Sequence, residues 1–400
     1  MSGIVVVGAG QAGAALAARL RALGYDGPIT MIGEEPVPPY QRPPLSKGYL
    51  LGETALERLY LRAAAFWDEQ RITLRLGAPV TAIDRVARSV RVGDESMSYD
   101  QLALTTGSCP RRLPARIGGG LAGVYTVRTL ADVDSMAPEF RQGRRLLIVG
   151  GGYIGLEAAA VGAKLGLQVT LVEMAPRILQ RVAAAETSDF FRRLHADHGT
   201  RILESTGLCR LVGDGRVRAA ILSDGAGIPV DFVIVGIGVT PATRLAGEAG
   251  LDIEDGVRTD ALGRTSDARI WAAGDCASFP YRGGRVRLES VGNAIDQAEA
   301  VARNMLGSGV AYEAKPWFWS DQYHVKLQIA GLNSGYDRVV TRSRGGGTSF
   351  WYYAGDTLLA VDALNDARAY MIGRRLIEMG RSPDPAAVAD GATDIRALLK

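Results

Sequence analysis

The apolar positions of this 400-residue chain recur in one compound pattern. A β-branched run leads into a glycine-rich turn, then a stretch rich in Ala and Leu, then a second β-branched run ending on an acid. The first copy reads Ile4 to Val7, the turn Gly8 to Gly13, a predicted helix over 14–23, the run Ile29 to Ile32, and Glu34. The second reads Leu146 to Val149, the turn Gly150 to Gly155, a predicted helix over 156–165, the run Val169 to Val172, and Glu173. Strand, helix and strand within about 30 residues predict a right-handed crossover in a parallel sheet, twice over.

Between the copies, residues 80–92 predict short extended stretches, and Gln101 to Thr106 a strand that ends in a tight turn at Gly107. Pro110, Pro114 and Gly118 to Gly120 break the pattern; Phe232 to Pro241 and Ile270 to Asp275 each pair a strand with glycines. Beyond about residue 309 come short strands such as Phe350 to Tyr353 and Leu358 to Val361, then an amphipathic helix over 367–379 and a short helical tail to Lys400. The expected fold is α/β: two Rossmann-like dinucleotide-binding domains plus a C-terminal α+β domain. The expected boundaries are 1–112 with 242–308, then 113–241, then 309–400.

Composition narrows the function. A formal charge of +3 is too small to make nucleic acid the expected partner. No apolar run reaches the roughly 18 to 20 residues that span a bilayer, and no basic leader or long apolar stretch precedes Ile4, so a cytoplasmic protein without membrane association is expected. Cys109, Cys209 and Cys276 form no Cys-x-x-Cys pair and are expected to be buried thiols. His195 and His198 lack companions for a metal site and are expected at a polar helix end, so no metal is expected.

In each turn the first glycine permits the bend, the second admits a pyrophosphate, and the third lets helix pack on strand, with the helix N-terminus facing the phosphate charge. Glu34 lies 21 residues after Gly13 and Glu173 lies 18 after Gly155, near the spacing of a ribose-binding acid. At the second site a carboxylate favours NADH over NADPH, a preference softened by nearby Arg177 and Arg181. Asp275, after a strand and Gly274, is a candidate acceptor for ribityl hydroxyls, its alternative being a turn-forming Asp.

With these residues in view, the chain resembles the NADH-dependent ferredoxin reductases of bacterial oxygenase systems, flavoproteins of the pyridine nucleotide-disulfide oxidoreductase fold. The resemblance spans nearly the whole chain and rests on Arg42 to Lys47, Gly150 to Glu157, Gly236 to Pro241, Ala273 to Cys276, Glu289 to Val291 with Asn293 and Ala294, and Trp317 to Gln322. It implies FAD contacts at Ala12, Glu34, Lys47, Val80, Arg128, Asp275 and Val291, beside the fingerprint residues Gly8, Gly10 and Gly13 and the candidates Arg42, Thr106 and Gly107. For NADH the candidates are Gly150, Gly152, Ile154, Gly155, Glu173, Arg181 and Gly238. It further implies that Lys47 lies by the flavin ring opposite Glu157, and that Trp319 covers the ring's exposed edge. Helix-end stabilisation by Glu157 in a first turn, and a core position for Trp319, are the plainer alternatives.

Related disulfide reductases need cysteines where this chain has Pro43 to Lys47. With no thiol there, the resemblance implies that electrons from NADH leave the FAD singly, for a two-iron two-sulfur ferredoxin. Arg282, Arg285 and Arg287, and Arg338, Arg342 and Arg344, are candidates for a basic docking rim, and a monomer or weak dimer is expected. The alternatives are another acceptor, of the rubredoxin or nitrite reductase type, or an apoptosis-inducing-factor-like flavoprotein.

Overall fold

Four consecutive apolar side chains, Ile4 to Val7, are all buried, because β1 (Gly3–Val7) is an inner strand of a parallel sheet. The computed structural model describes residues 3–399; Met1, Ser2 and Lys400, the expected end of the helical tail, lie outside the described residues. By internal packing the chain divides into two compact units: Met1–Gln41, Leu56–Cys109 and Thr240–Pro316, and Arg42–Ala55, Pro110–Val239 and Trp317–Lys400.

In the first unit β1 pairs in parallel with Ile29–Ile32 on one side and with Glu95–Leu104 on the other. Ile72–Arg75 extends one flank, Ile270–Ala272 joins Glu95–Leu104 in parallel, and the antiparallel hairpin Val80–Asp84 and Ser89–Val92 completes the sheet. Helix α1 (Gln11–Ala22) buries Leu16, Ala17 and Leu20 against Val301 and Ala302 of the helix Val291–Met305.

In the second unit a five-stranded parallel sheet runs in the order Arg201–Leu203, β3 (Gln168–Val172), β2 (Arg145–Val149), Phe232–Val235 and Val124–Tyr125. Its crossover is α2 (Tyr153–Lys164), buried along most of its length, and α3 (Ala185–Asp197) follows. The same unit carries a five-stranded antiparallel sheet whose edge strand is β4 (Trp317–Gln322) and whose core includes Trp351, Tyr353 and Val361 packed on the helix Ala367–Glu378. Both parallel sheets and the C-terminal α+β region match the expected fold class.

Two local expectations change. Both crossover helices begin three residues earlier than periodicity predicts, at Gln11 and Tyr153, with Gly10 and Gly152 as N-caps. Apolar spacing registers a helix only once it packs, whereas the backbone turns helical inside the glycine motif. Of the three cysteines only Cys276 is buried; Cys109 and Cys209 are exposed.

Candidate functional site

The first unit gathers its candidates at the carboxyl ends of its parallel strands, where the chain must leave the sheet and backbone groups lose their ladder partners. Gly8 has φ +116°, and a Cβ there would lie 2.2 Å from the Thr105 carbonyl oxygen; a Cβ on Gly13 would lie 2.0 Å from the Gly8 carbonyl oxygen. Gly10 has nothing within 4 Å of its Cβ position. Two glycines are therefore consumed by packing and one faces open space. No side chain caps α1, and no acid stands in its first turn, so the first-turn amides, Ala12 and Gly13 among them, are suited to a phosphate.

Around this cradle stand the ends of the neighbouring strands. Gly274, at φ +80°, has its Cβ position 3.0 Å from the Ala12 Cβ, which brings Asp275 beside α1. The Ser108 hydroxyl donates to the Asp275 carboxylate at 3.0 Å. Thr106 donates its hydroxyl to the Ala242 carbonyl at 2.8 Å, and the Ala242 amide donates to the Gly107 carbonyl at 3.0 Å. Glu34 is exposed just past Ile29–Ile32, and the turn before buried Val80 is tied to Gly33 through the Ala78 amide at 2.9 Å. Val291 opens a helix capped by Ser290, which accepts from the Asn293 amide.

The second unit repeats the cradle. A Cβ on Gly150, at φ +109°, would lie 2.4 Å from the Gly236 carbonyl oxygen, one on Gly155 2.2 Å from that of Gly150, and one on Gly152 would meet nothing within 4 Å. The N-terminus of α2 is likewise uncapped by any side chain, and Ile154 in its first turn is 42% exposed. Glu173, just past β3, accepts the Gly151 amide on Oε2 and the Ala175 amide on Oε1, both at 2.7 Å. Arg177 is turned away from a 2′-phosphate role, since its Nη1 donates to Ser188 Oγ at 2.6 Å and to the Ala184 carbonyl at 3.2 Å. Arg181 is exposed, with Nη1 3.7 Å from the Cβ position of Gly238.

Lys47 and Glu157 meet directly. Arg42 leads into a 3₁₀ turn, Pro43–Ser46, in which the Lys47 amide donates to the Pro44 carbonyl at 3.0 Å. From there Lys47 Nζ reaches Glu157 Oε2 at 2.8 Å, the two side chains being 18% and 2% exposed. Ser46 donates to the same oxygen at 2.7 Å, and Ser320 on β4 donates to Oε1 at 2.6 Å. Burial pushes the Glu157 carboxyl up, while Lys47 and the two serines pull it back down. Glu157 is the fifth residue of α2, in its second turn rather than its first. Helix-end stabilisation fades beyond the first turn, so burial, opposed by the lysine and the serines, governs its charge.

Arg42 Nη1 donates to the Arg128 carbonyl at 2.6 Å, which joins two more candidates. Trp319 is half-buried on the edge strand, stacked at 5.4 Å on Trp317, and lies outside the apolar core of the antiparallel region. Both histidines lie at the end of α3, His198 exposed as its C-cap but His195 fully buried, and among the described residues no cluster of metal-ligating side chains occurs. Of the proposed basic rim, Arg342 is buried and donates to the carbonyls of Val388, Asp390 and Thr393. Arg285 is paired with Glu254, and Arg287 with Asp255 and Glu289. Arg338 is exposed and paired with Asp356, and Arg282 and Arg344 are also exposed. Sequence reasoning missed Ser46 and Ser320, since a hydroxyl inside a proline or tryptophan motif carries no spacing signal.

The FAD and NADH expected for these cradles fit the residues present: each pyrophosphate position has an uncapped helix N-terminus and a glycine facing open space. A family model described as pyridine nucleotide-disulphide oxidoreductase matches residues 2–298, and a second, described as reductase C-terminal, matches 317–399. The chain is 44% identical to a ferredoxin–NAD(P)(+) reductase of Sphingomonas sp, with 99% of this chain and 96% of that one covered. It is 42% identical to rhodocoxin reductase of Rhodococcus erythropolis, with coverages of 97% and 92%. Among solved structures, the covalent putidaredoxin reductase–putidaredoxin complex superposes with a TM-score of 0.96 at 38% identity, covering 100% of this chain and 98% of that one.

Proposed function

Because the chain belongs to the pyridine nucleotide-disulphide oxidoreductase family, we propose that it is an FAD-dependent ferredoxin reductase, oxidising NADH and passing single electrons to an iron–sulfur ferredoxin that serves an oxygenase. The observation that carries this reading is the doubled cradle, with Gly10 and Gly152 each facing open space at an uncapped helix N-terminus. Residues 1–112 with 242–308 form the FAD-binding domain, 113–241 the NADH-binding domain, and 309–400 the C-terminal domain.

FAD, when bound, supplies the ability to take two electrons at once from NADH and release them one at a time. The chain binds and orients. First-turn amides of α1 hold the FAD pyrophosphate, with Gly8, Gly10, Ala12 and Gly13 shaping the approach. Glu34 and Asp275 accept hydroxyl donors, while Val80, Thr106, Gly107 and Val291 line the site and Arg42 and Arg128 contact the cofactor. For NADH the same parts are taken by α2 with Gly150, Gly152, Ile154 and Gly155, by Glu173 at the ribose, and by Arg181 beside Gly238. With FAD bound, Lys47 would supply a cation to the flavin ring, Glu157 would hold that cation in position, and Trp319 would cover the ring.

The ferredoxin is of the two-iron two-sulfur type, met through a weak encounter surface by a reductase that is monomeric or weakly dimeric. Neither nucleic acid nor a membrane enters this scheme, and the site of action is the cytoplasm. No helix among the described residues is long and apolar enough to cross a membrane. Purified protein should be yellow, should bleach anaerobically with NADH, and should reduce a cytochrome only when a two-iron two-sulfur ferredoxin is added. A colourless protein that takes up no FAD, or a bleached one that never passes electrons to such a ferredoxin, overturns the reading.

A further inference from the structure

Of the chain's three histidines, His195 and His198 pack on Tyr323, at the turn after β4, and His324 lies beside His198 at 6.2 Å. Nothing in the proposed function uses them. Tyr323 sits at φ +55°, a left-handed conformation that an aromatic residue adopts only when its surroundings hold it there. The holding contacts are a ring stack on His198 at 3.8 Å and a hydroxyl shared with Thr200 Oγ1 at 3.4 Å and His195 Nδ1 at 3.3 Å.

From His195 the hydrogen bonds run on through buried groups. His195 Nε2 lies 2.8 Å from Gln322 Oε1, Gln322 Nε2 donates to Ser320 Oγ at 3.1 Å, and Ser320 Oγ donates to Glu157 Oε1 at 2.6 Å. His195, Gln322 and Ser320 are all fully buried. With Glu157 ionised, the links from Gln322 to Glu157 have one direction. The carboxylate only accepts, so Ser320 must donate to it; the amide nitrogen of Gln322 then serves Ser320, leaving its oxygen for His195. The imidazole therefore carries a proton on Nε2, and as the neutral ring it accepts from Tyr323 on Nδ1. Burial favours the neutral ring this requires, pushing its pKa down to about 4.

We propose that His195, Gln322 and Ser320 are positioning residues for Glu157: a one-way chain of donors that begins at Tyr323, orients the Glu157 carboxylate and favours its ionised form. Donors aligned head to tail polarise one another, so a distant link strengthens the last one. The titratable groups facing Glu157 are Lys47, from the 3₁₀ turn, and Tyr153, on its own helix; those facing His195 are His198, the C-cap of α3, and Tyr323. The inference rests on the reading of Lys47 and Glu157 as the pair that serves the flavin.

The test reads the carboxyl itself. In FAD-loaded protein, the infrared carbonyl band of protonated Glu157, identified by its loss in Glu157→Gln, is titrated against pH. Removing a donor to the ionised form raises the midpoint, by about one pH unit for Ser320→Ala. Gln322→Met, which does not touch Glu157, raises it by less, the double variant by no more than Ser320→Ala alone, and Ser320→Thr stays near the parent. Gln322→Met carries the test should Ser320→Ala fail to fold. An unmoved midpoint in Gln322→Met, or two shifts that simply add, overturns the chain of donors. A normal rate of NADH bleaching in Glu157→Gln would instead overturn the reading of the pair, without touching the titration.

Discussion

Glu173 answers to the backbone before it answers to any ligand. Its two oxygens take the amides of Gly151 and Ala175, one on each side of the turn, which fixes the carboxylate at the end of β3 with a lone pair on each oxygen to spare. In the proposed NADH site, charge-assisted hydrogen bonds to ribose hydroxyls would then form with little further ordering. Glu173→Ala should raise the KM for NADH about tenfold or more while leaving FAD content unchanged, measured by steady-state reduction of ferricyanide. Arg177 shows the limit of spacing arguments at this scale. In sequence it stands close enough to receive a 2′-phosphate, but in the fold it is committed to Ser188 and Ala184. Ser320 and His195 are the converse: neither carries a motif, and only the packing of β4 and α3 within one unit draws them toward Glu157.

At the scale of the element, the three glycines of each turn divide their labour in a way substitutions can separate. Gly13 is pressed against the Gly8 carbonyl, so Gly13→Val must push α1 off β1, whereas Gly10 faces open space and Gly10→Val leaves that packing alone. The expected outcome is a loss of thermal stability together with flavin in Gly13→Val, and a normal circular dichroism spectrum without bound flavin in Gly10→Val. Retention of flavin by Gly10→Val would remove the pyrophosphate from this cradle. Strand, turn, helix and strand were all legible in the order of residues, because parallel strands buried on both faces read as unbroken apolar runs. The helix starts were not, since the first helical turn lies within the glycine motif itself.

For the whole molecule, electron delivery to a partner depends on charge at the surface. The net charge of +3 is small, and Arg285, Arg287, Arg338 and Arg342 are engaged within the fold, with Arg282 and Arg344 exposed. Steering should accordingly be modest but screenable: raising ionic strength lowers ferredoxin-dependent turnover while NADH-to-ferricyanide turnover changes much less. Equal responses of the two assays would dispose of electrostatic docking. By itself the sequence determined the two dinucleotide motifs, their acids and the α/β class, because each is a local pattern of a few residues whose geometry the backbone enforces. Only the tertiary structure decided which arginines were spent on carbonyls and ion pairs, and that Glu157 would be a buried carboxylate held by Lys47, Ser46 and Ser320. The Glu157 cluster depends on side chains more than a hundred residues apart meeting in a low-dielectric interior, and no periodicity along the chain encodes such a meeting.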